Sequence, residues 1–329
     1  MKTAGFLSSA QNWHWERQFP QSIPVWGDIE FIFSGDFEKC DVLIVFDGLP
    51  DHYCGNISAK SCVFVASEPT NVKTYESEFL SQFDLVLTTD RSCKHGAVQF
   101  GQTGLPWLVG AWSNQGALLK KPLNFDFFEN FSPKKSKLVS VVSSDKAFTE
   151  EHRARLRFVE ALKEYFGEKI DYFGRNINTF PDKMSVLSEY KYHIALENCA
   201  IKDYWTEKIS DSFLTMTLPI YHGCPNISDY FEVNSYKEID VYDIQNSIKK
   251  IEFIISKEVS EFEIADLKES RRKVLYEYNI FSVLTNILKS VQFADCGPRR
   301  RRTINSERFF RKNKSVLKRM RKRLVQRFF

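Results

Sequence analysis

The stretch ALENCAIKDYWTEKISDSFLTMTLPIYHG, residues 195–223, places Glu197, Asn198, Tyr204, Glu207 and Lys208 between two strand-like apolar runs. Ordinary core segments do not need that density of polar groups. With YHIALEN as a strand and DYWTEKISDSFLTMT as the helix after it, Glu197 and Asn198 fall at the strand's carboxyl end. Asp203 is placed to cap the helix, and Tyr204 to Lys208 make its first turns. Trp205, Ile209, Phe213 and Met216 form its buried stripe, while Tyr204 and Lys208, four apart, share another face. A helix N-terminus offers unpaired N–H groups and partial positive charge, and Lys208 adds a full charge, so together they suit a pyrophosphate. Glu207 has two acceptor oxygens, to which adjacent ribose hydroxyls are natural donors. The plainer alternative is an acid favoured near a helix start beside a solvated surface lysine.

The elements that must position these groups alternate along the chain. TAGFLSS, IEFIFSG, CDVLIVFDG, SCVFVASEP and FDLVLTTD read as strands in the first third. CDVLIVF and FDLVLTT are nearly continuous in apolar residues, as strands covered on both faces are. The alternation restarts with the strand KLVSVVSS, the helix TEEHRARLRFVEALKEYFG and the strand KIDYFG, and residues 242–291 read as almost wholly helical. This pattern predicts an α/β protein with two facing Rossmann-like domains and a C-terminal helical segment. The expected boundaries are a first domain over 1–118, a linker over 119–136, a second domain over 137–297 and a basic tail over 298–329. Ligands of such sheets sit beyond the carboxyl ends of the strands. There is no GxGxxG and no P-loop signature, which argues against a dinucleotide dehydrogenase or a P-loop kinase.

The quoted stretch resembles the donor-binding signature of glycosyltransferase family 10, the α-1,3/4-fucosyltransferases, in its bacterial type. LEN, KDYWTEK, LPIYHGCPN and ISDYF stand in the family's order and spacing, and the resemblance is most specific from Tyr192 to Phe231. Leu196, Cys199 and Trp205 depart from the usual residues but leave the polar groups intact. The resemblance implies a GT-B fold, with GDP-fucose on the C-terminal domain, the acceptor sugar on the N-terminal domain, and an inverting reaction. By position, Asn198, Tyr204, Glu207 and Lys208 match donor-site residues, with Glu207 on the ribose and Lys208 on the phosphates. RLRFVEAL carries Arg155 over as a pyrophosphate contact, with Arg153 and Arg157 open as alternatives by a turn. SEP carries Glu68 over as the general base.

Trp13, His14 and Trp15, in NWHWER, are candidates to stack against an acceptor sugar, with Glu16 and Arg17 as hydroxyl partners; the alternative is a partly buried loop anchor. PWLVGAWSN at 106–114 is a similar case. His193 and His222 lack partners in sequence and read as structural. No D-x-D follows a strand, DVYD at 240–243 being a weak substitute. No metal or other cofactor is therefore expected to be essential, although added Mn2+ could stimulate.

Charge is unevenly spread. From Arg299 to Phe329 there are fourteen Lys and Arg and one acid, so this stretch is +13 and the remainder −9, against +4 for the chain. Phe310, Leu317, Met320, Leu324 and Phe328 lie on one helical stripe among these cations, which reads as a basic amphipathic helix on an anionic membrane surface. The paired phenylalanines favour lipid, and no nucleic-acid partner is expected. No stretch approaches the ~20 apolar residues that cross a bilayer. The seven cysteines form no CxxC pair and read as reduced, mostly buried thiols. The expectation is a cytoplasmic enzyme held peripherally at the inner membrane. It would move L-fucose from GDP-fucose to a GlcNAc-containing glycan, α-1,3 and N-acetyllactosamine type, as in lipopolysaccharide O-antigen. The alternatives are a GT-B transferase for another nucleotide sugar, or a non-catalytic glycan- or polyanion-binding protein.

Overall fold

The computed structural model describes residues 1–10, 12–35, 37–143, 149–174, 177–290 and 298–311. It divides into two compact units, one of Met1–Trp13, Pro24–Thr103 and Leu284–Phe329, the other of His14–Ile23 and Gly104–Val283.

The first unit is built on strands β1 (Lys2–Ser8), β2 (Val25–Trp26), β3 (Ile29–Ile32), β4 (Val42–Phe46), β5 (Cys54–Ala59), β6 (Ser61–Ala66), β7 (Leu85–Thr88) and β8 (Val98–Phe100). Its seven-stranded sheet runs β2-β3-β1-β4-β6-β7-β8. Every neighbouring pair is parallel except β2 with β3. All five residues of β4 and all six of β6 are buried, which is why these central strands read as unbroken apolar runs.

The second unit holds a parallel five-stranded sheet, made of β9 (Lys137–Val142), β10 (Asp171–Phe173), β11 (Tyr190–Leu196), β12 (Leu218–His222) and β13 (Lys237–Glu238). The spatial order is β10-β9-β11-β12-β13. The first unit contributes helix α1 (Ser77–Leu80). The helices that follow are α2 (Phe125–Asn130), α3 (Glu150–Phe166), α4 (Met184–Leu187), α5 (Glu207–Leu214), α6 (Ile244–Ile255), α7 (Glu261–Tyr276) and α8 (Ile280–Ser290). Helix α3 starts where Thr149 accepts the His152 N–H and stops at Gly167, whose φ of +53° is the left-handed turn that glycine tolerates. Among the described residues, no helix is long and apolar enough to cross a membrane.

Three expectations are corrected. Residues 119–136 are not a linker and the first domain does not run to 118, because residues 104–136 pack within the second unit. Phe125 and Phe128 of α2 are buried, and Asp182 and Asp211 hold the backbone N–H groups of 108–112. Residues 14–23 also join that unit. The buried Arg17 donates to the carbonyls of Trp107, Val109 and Leu123, and the Phe19 ring stacks 4.1 Å from Phe281.

The third correction concerns the basic tail, whose first residues are a strand of the first unit and not a surface helix. Strand β14 (Arg300–Asn305) pairs antiparallel with β5, from Arg300↔Ala59 to Asn305↔Cys54. Ile304 is fully buried in that unit's core. Arg302 pairs with Asp84 at 2.9 Å and Arg308 with Asp51 at 2.7 Å, while Arg299 donates to the Cys40 carbonyl at 2.7 Å. The Phe310 ring lies 6.3 Å from Phe79, so it faces this core. Leu317, Met320, Leu324 and Phe328 of the expected stripe lie outside the described residues.

Candidate functional site

Helix α5 begins at Glu207, and its N-cap is Thr206, whose hydroxyl accepts the Lys208 N–H. Asp203 was the sequence's candidate cap, but its carboxylate is engaged elsewhere: Asn226 Nδ2 donates to it at 2.9 Å and the Tyr230 hydroxyl at 2.8 Å. Asp203 itself sits at φ +66°, and its N–H donates to Asn226 Oδ1. The GCPN and SDYF segments therefore brace the loop that delivers α5. Trp205, expected on the helix's buried stripe, precedes the helix and packs among the rings of Tyr230, Phe231 and Tyr278 at 5.0–5.8 Å. Met216 lies beyond the helix, at φ +55°. Ile209 and Phe213 are fully buried, as expected.

Glu197 anchors the turn. Its Oε1 accepts the Thr206 N–H at 2.8 Å and its Oε2 the Thr206 hydroxyl at 2.7 Å. A Cβ on Gly223 would lie 2.4 Å from Glu197 Cγ, so the glycine after β12 makes room for this side chain.

Beyond the carboxyl ends of β9 and β11 is a cavity of about 230 Å3, whose polar lining is Arg155, Lys183, His193, Asn198, Glu207 and Lys208. Arg155 Nη1 donates to Asn198 Oδ1 at 2.8 Å. Of the three candidate arginines, Arg155 lines this cavity and is 4% exposed, whereas Arg153 and Arg157 are exposed and paired with Glu150. Lys208 Nζ lies 3.3 Å from Glu197 Oε2 and 3.6 Å from Glu207 Oε1. Lys183 Nζ stands 3.5 Å from Glu207 Oε1 and 2.9 Å from Asp211 Oδ2. Burial opposes the charge on Glu207, but Lys208 and Lys183 outweigh it and hold the carboxyl at about 2. Burial likewise opposes the charge on Lys208, and Glu207 and Glu197 outweigh it, so its pKa is raised. Glu197, more deeply enclosed, has its pKa raised by burial, with Lys208 opposing. His193 is pushed down to about 3 by burial and by Lys183, so it is neutral at physiological pH. Ser140 Oγ is within 2.6 Å of the Val186 carbonyl and 2.8 Å of His193 Nδ1; with its one hydrogen on the carbonyl, it accepts from Nδ1–H.

Four of the five donor-site residues expected from the sequence thus share one cavity. Tyr204 does not line it and is 3% exposed. Lys183 was missed, since its carboxylate partners lie 24 and 28 residues away. His193 was read as structural and also lines the cavity.

Glu68 belongs to the first unit, two residues beyond β6. It lines a separate cavity of about 440 Å3 with Lys73, Tyr75, Glu76, Thr88 and Asp90. At its side, the Tyr75 hydroxyl donates to Asp47 Oδ1 at 2.5 Å, and Lys73 donates to the Asp47 carbonyl. The acceptor-stacking candidates are not brought together as expected. Trp15 is a core residue, 5% exposed, with its ring 6.4 Å from Phe281. Arg17, 2% exposed, is committed to backbone carbonyls. Trp13 and His14 are half-buried and fall in different units. Among the described residues, no group of three or more His, Cys, Asp or Glu could hold a metal ion.

Two Rossmann-like units with this cavity at the strand ends define a GT-B glycosyltransferase fold. The crystal structure of an α1,3-fucosyltransferase superposes with a TM-score of 0.50 at 17% identity, covering 88% of this chain and 89% of that one. Residues 132–262 match the family described as glycosyltransferase family 10 (fucosyltransferase) C-term. The chain is 42% identical over 74 residues to alpha-(1,3)-fucosyltransferase B of Drosophila melanogaster, covering 22% of this chain and 16% of that protein. It is 36% identical over 73 residues to alpha-(1,3)-fucosyltransferase FucT of Helicobacter pylori, covering 22% and 15%. The aligned part thus spans about a sixth of either relative.

Proposed function

We propose that this protein transfers L-fucose from GDP-fucose to a hydroxyl of a GlcNAc-containing glycan, with α-1,3 linkage and inversion at C1. The observation that carries the reading is the cavity inside the family segment, where Arg155, Lys183 and Lys208 surround Glu207 and Asn198 at the ends of parallel strands. Arg155 and Lys208 would take the diphosphate, and Glu207, ionised, would accept from the ribose hydroxyls.

The reaction makes one C–O bond and breaks another. As the bond from C1 to the phosphate oxygen breaks, its electron pair leaves with GDP and C1 gains oxocarbenium character. Fixed cations stabilise charge as it develops on the leaving group without reorganising. The acceptor oxygen bonds to the opposite face of C1, and its proton passes to Glu68, the proposed general base. Arg155 and Lys208 would supply the neutralisation that a metal gives in other nucleotide-sugar sites, so metal-independent transfer is part of the proposal, with Mn2+ at most a stimulant. Isothermal titration with GDP-fucose tests the donor half: micromolar binding to the wild type, lost in Lys208→Ala, supports it, and absence of binding refutes it.

We also propose peripheral attachment to an anionic membrane surface through residues 312–329. The support is their composition, eight Lys and Arg with no acid and interleaved Leu, Val, Met and Phe. Sedimentation with anionic vesicles tests this, and equal recovery with neutral vesicles would refute it.

A further inference from the structure

We propose that Lys183 is a positioning residue for the nucleotide sugar: it holds the Glu207 carboxylate in place for the ribose and ties it to the segment 108–112. The assignment rests on the donor reading above. Lys183 lies in the turn before α4, and its side chain is 17% exposed. Its Nζ approaches three oxygens: Asp211 Oδ2 at 2.9 Å, Glu207 Oε1 at 3.5 Å and the Glu207 carbonyl at 3.4 Å.

The two carboxylates it joins have different tasks. Asp211 is fully buried on α5 and accepts the N–H groups of Leu108 and Val109, each at 3.2 Å. Asp182, the residue before Lys183, accepts those of Gly110, Ala111 and Trp112 at 2.8–2.9 Å. Five consecutive backbone N–H groups are thus held by two carboxylates, with Lys183 adjacent to one in sequence and bonded to the other. On its other side Lys183 faces Glu207, which opens into the cavity. Without this ammonium, the half-buried Glu207 and the fully buried Asp211 would be two carboxylates on one face of α5, four residues apart, and like charges so placed repel. Of its two cations Glu207 would keep only Lys208, which Glu197 shares at 3.3 Å.

The groups around Glu207 are Lys183 from the turn before α4, Lys208 and Asp211 from α5, Glu197 from beyond β11, Arg155 from α3 and neutral His193 from β11. Removing Lys183 takes away one of the two cations that offset burial, so the Glu207 pKa rises. A protonated Glu207 is a poorer acceptor for ribose hydroxyls, so nucleotide affinity should fall more steeply on acidification than it does in the wild type, where Asp211 at about 6 and the terminal phosphate of GDP already titrate.

The test is calorimetric binding of GDP and of 2′-deoxy-GDP to wild type, Lys183→Met and Lys183→Arg between about pH 5 and about pH 8, a range in which carboxylates of raised pKa titrate. The wild type should prefer GDP by about tenfold, the size of one charge-assisted hydrogen bond. Lys183→Met should weaken GDP binding about tenfold or more, lose the preference and weaken further below about pH 6. Lys183→Arg should recover most of the preference. In turnover the loss should fall on KM, with kcat little changed. A Lys183→Met variant that keeps the GDP preference and the pH profile of the wild type overturns the assignment, whatever its melting temperature. Should that variant not fold, Lys183→Gln carries the same test. Failure of the wild type to bind GDP would overturn the donor reading itself, which separates the two failures.

Discussion

Arg155 Nη1 donates to Asn198 Oδ1 at 2.8 Å, joining α3 to the carboxyl end of β11. The amide thereby aims a buried guanidinium whose charge burial opposes and Glu197 supports. Asn198→Ala should weaken GDP binding about tenfold by releasing the arginine, and Arg155→Ala should weaken it further by removing the cation. Calorimetry of both and of the double variant checks this: a double variant no worse than Arg155→Ala indicates that Asn198 acts through Arg155, and full additivity contradicts it.

The clasp of β14 on β5 should be worth most where it is apolar. Ile304 is fully buried against the first unit's core, and Ile304→Ala should cost about 2–4 kcal/mol in denaturant unfolding. Arg302 and Asp84 keep 19% and 29% side-chain exposure, and loss of that pair through Arg302→Ala should cost about 1 kcal/mol or less. The reverse ranking would mean that charge, not the buried isoleucine, holds the chain end.

Lys135 is a half-buried cation outside both cavities' chemistry. Its Nζ donates to the Ser188 and Thr215 carbonyls and to Thr217 Oγ1 at 2.8–2.9 Å, and burial lowers its pKa to about 7. The folded pKa lies below the unfolded one, so the unfolded state binds more protons between them. The penalty is full below about pH 7 and fades as pH rises toward the unfolded pKa of about 10.4. Wild-type stability should therefore rise relative to Lys135→Met from about pH 7 to about pH 9.5, read by urea unfolding at each pH. A constant difference would contradict it.

The parallel strands were legible because full burial on both faces leaves unbroken apolar runs, as in VLIVF and SCVFVA. Strand β14 was not. RRRRTIN has one buried apolar side chain, and it pairs as a strand only because β5, Asp84 and Asp41, more than 200 residues away, accept its backbone and its arginines. The start of α5 was misplaced for a related reason. Asp203 is the first capping residue in sequence, but Asn226 and Tyr230 occupy its carboxylate and Thr206 caps instead. Glu207, Lys208, Asn198 and Arg155 were legible through motif spacing. Lys183 carries no local signal, since its partners come from another helix.

Glu68 should act on chemistry and not on donor affinity. Glu68→Gln removes the proton acceptor while keeping size, so kcat should fall about 100- to 10,000-fold with GDP-fucose binding unchanged. A parallel loss of donor binding would assign Glu68 a binding role.

The central claim is most directly tested by transfer from GDP- and UDP-sugars to N-acetyllactosamine and lactose, with and without EDTA, in wild type, Lys208→Ala and Glu68→Gln. The account predicts turnover of GDP-fucose alone, an α-1,3 product, insensitivity to EDTA and loss in both variants. Neither turnover nor binding of GDP-fucose by the wild type would contradict it.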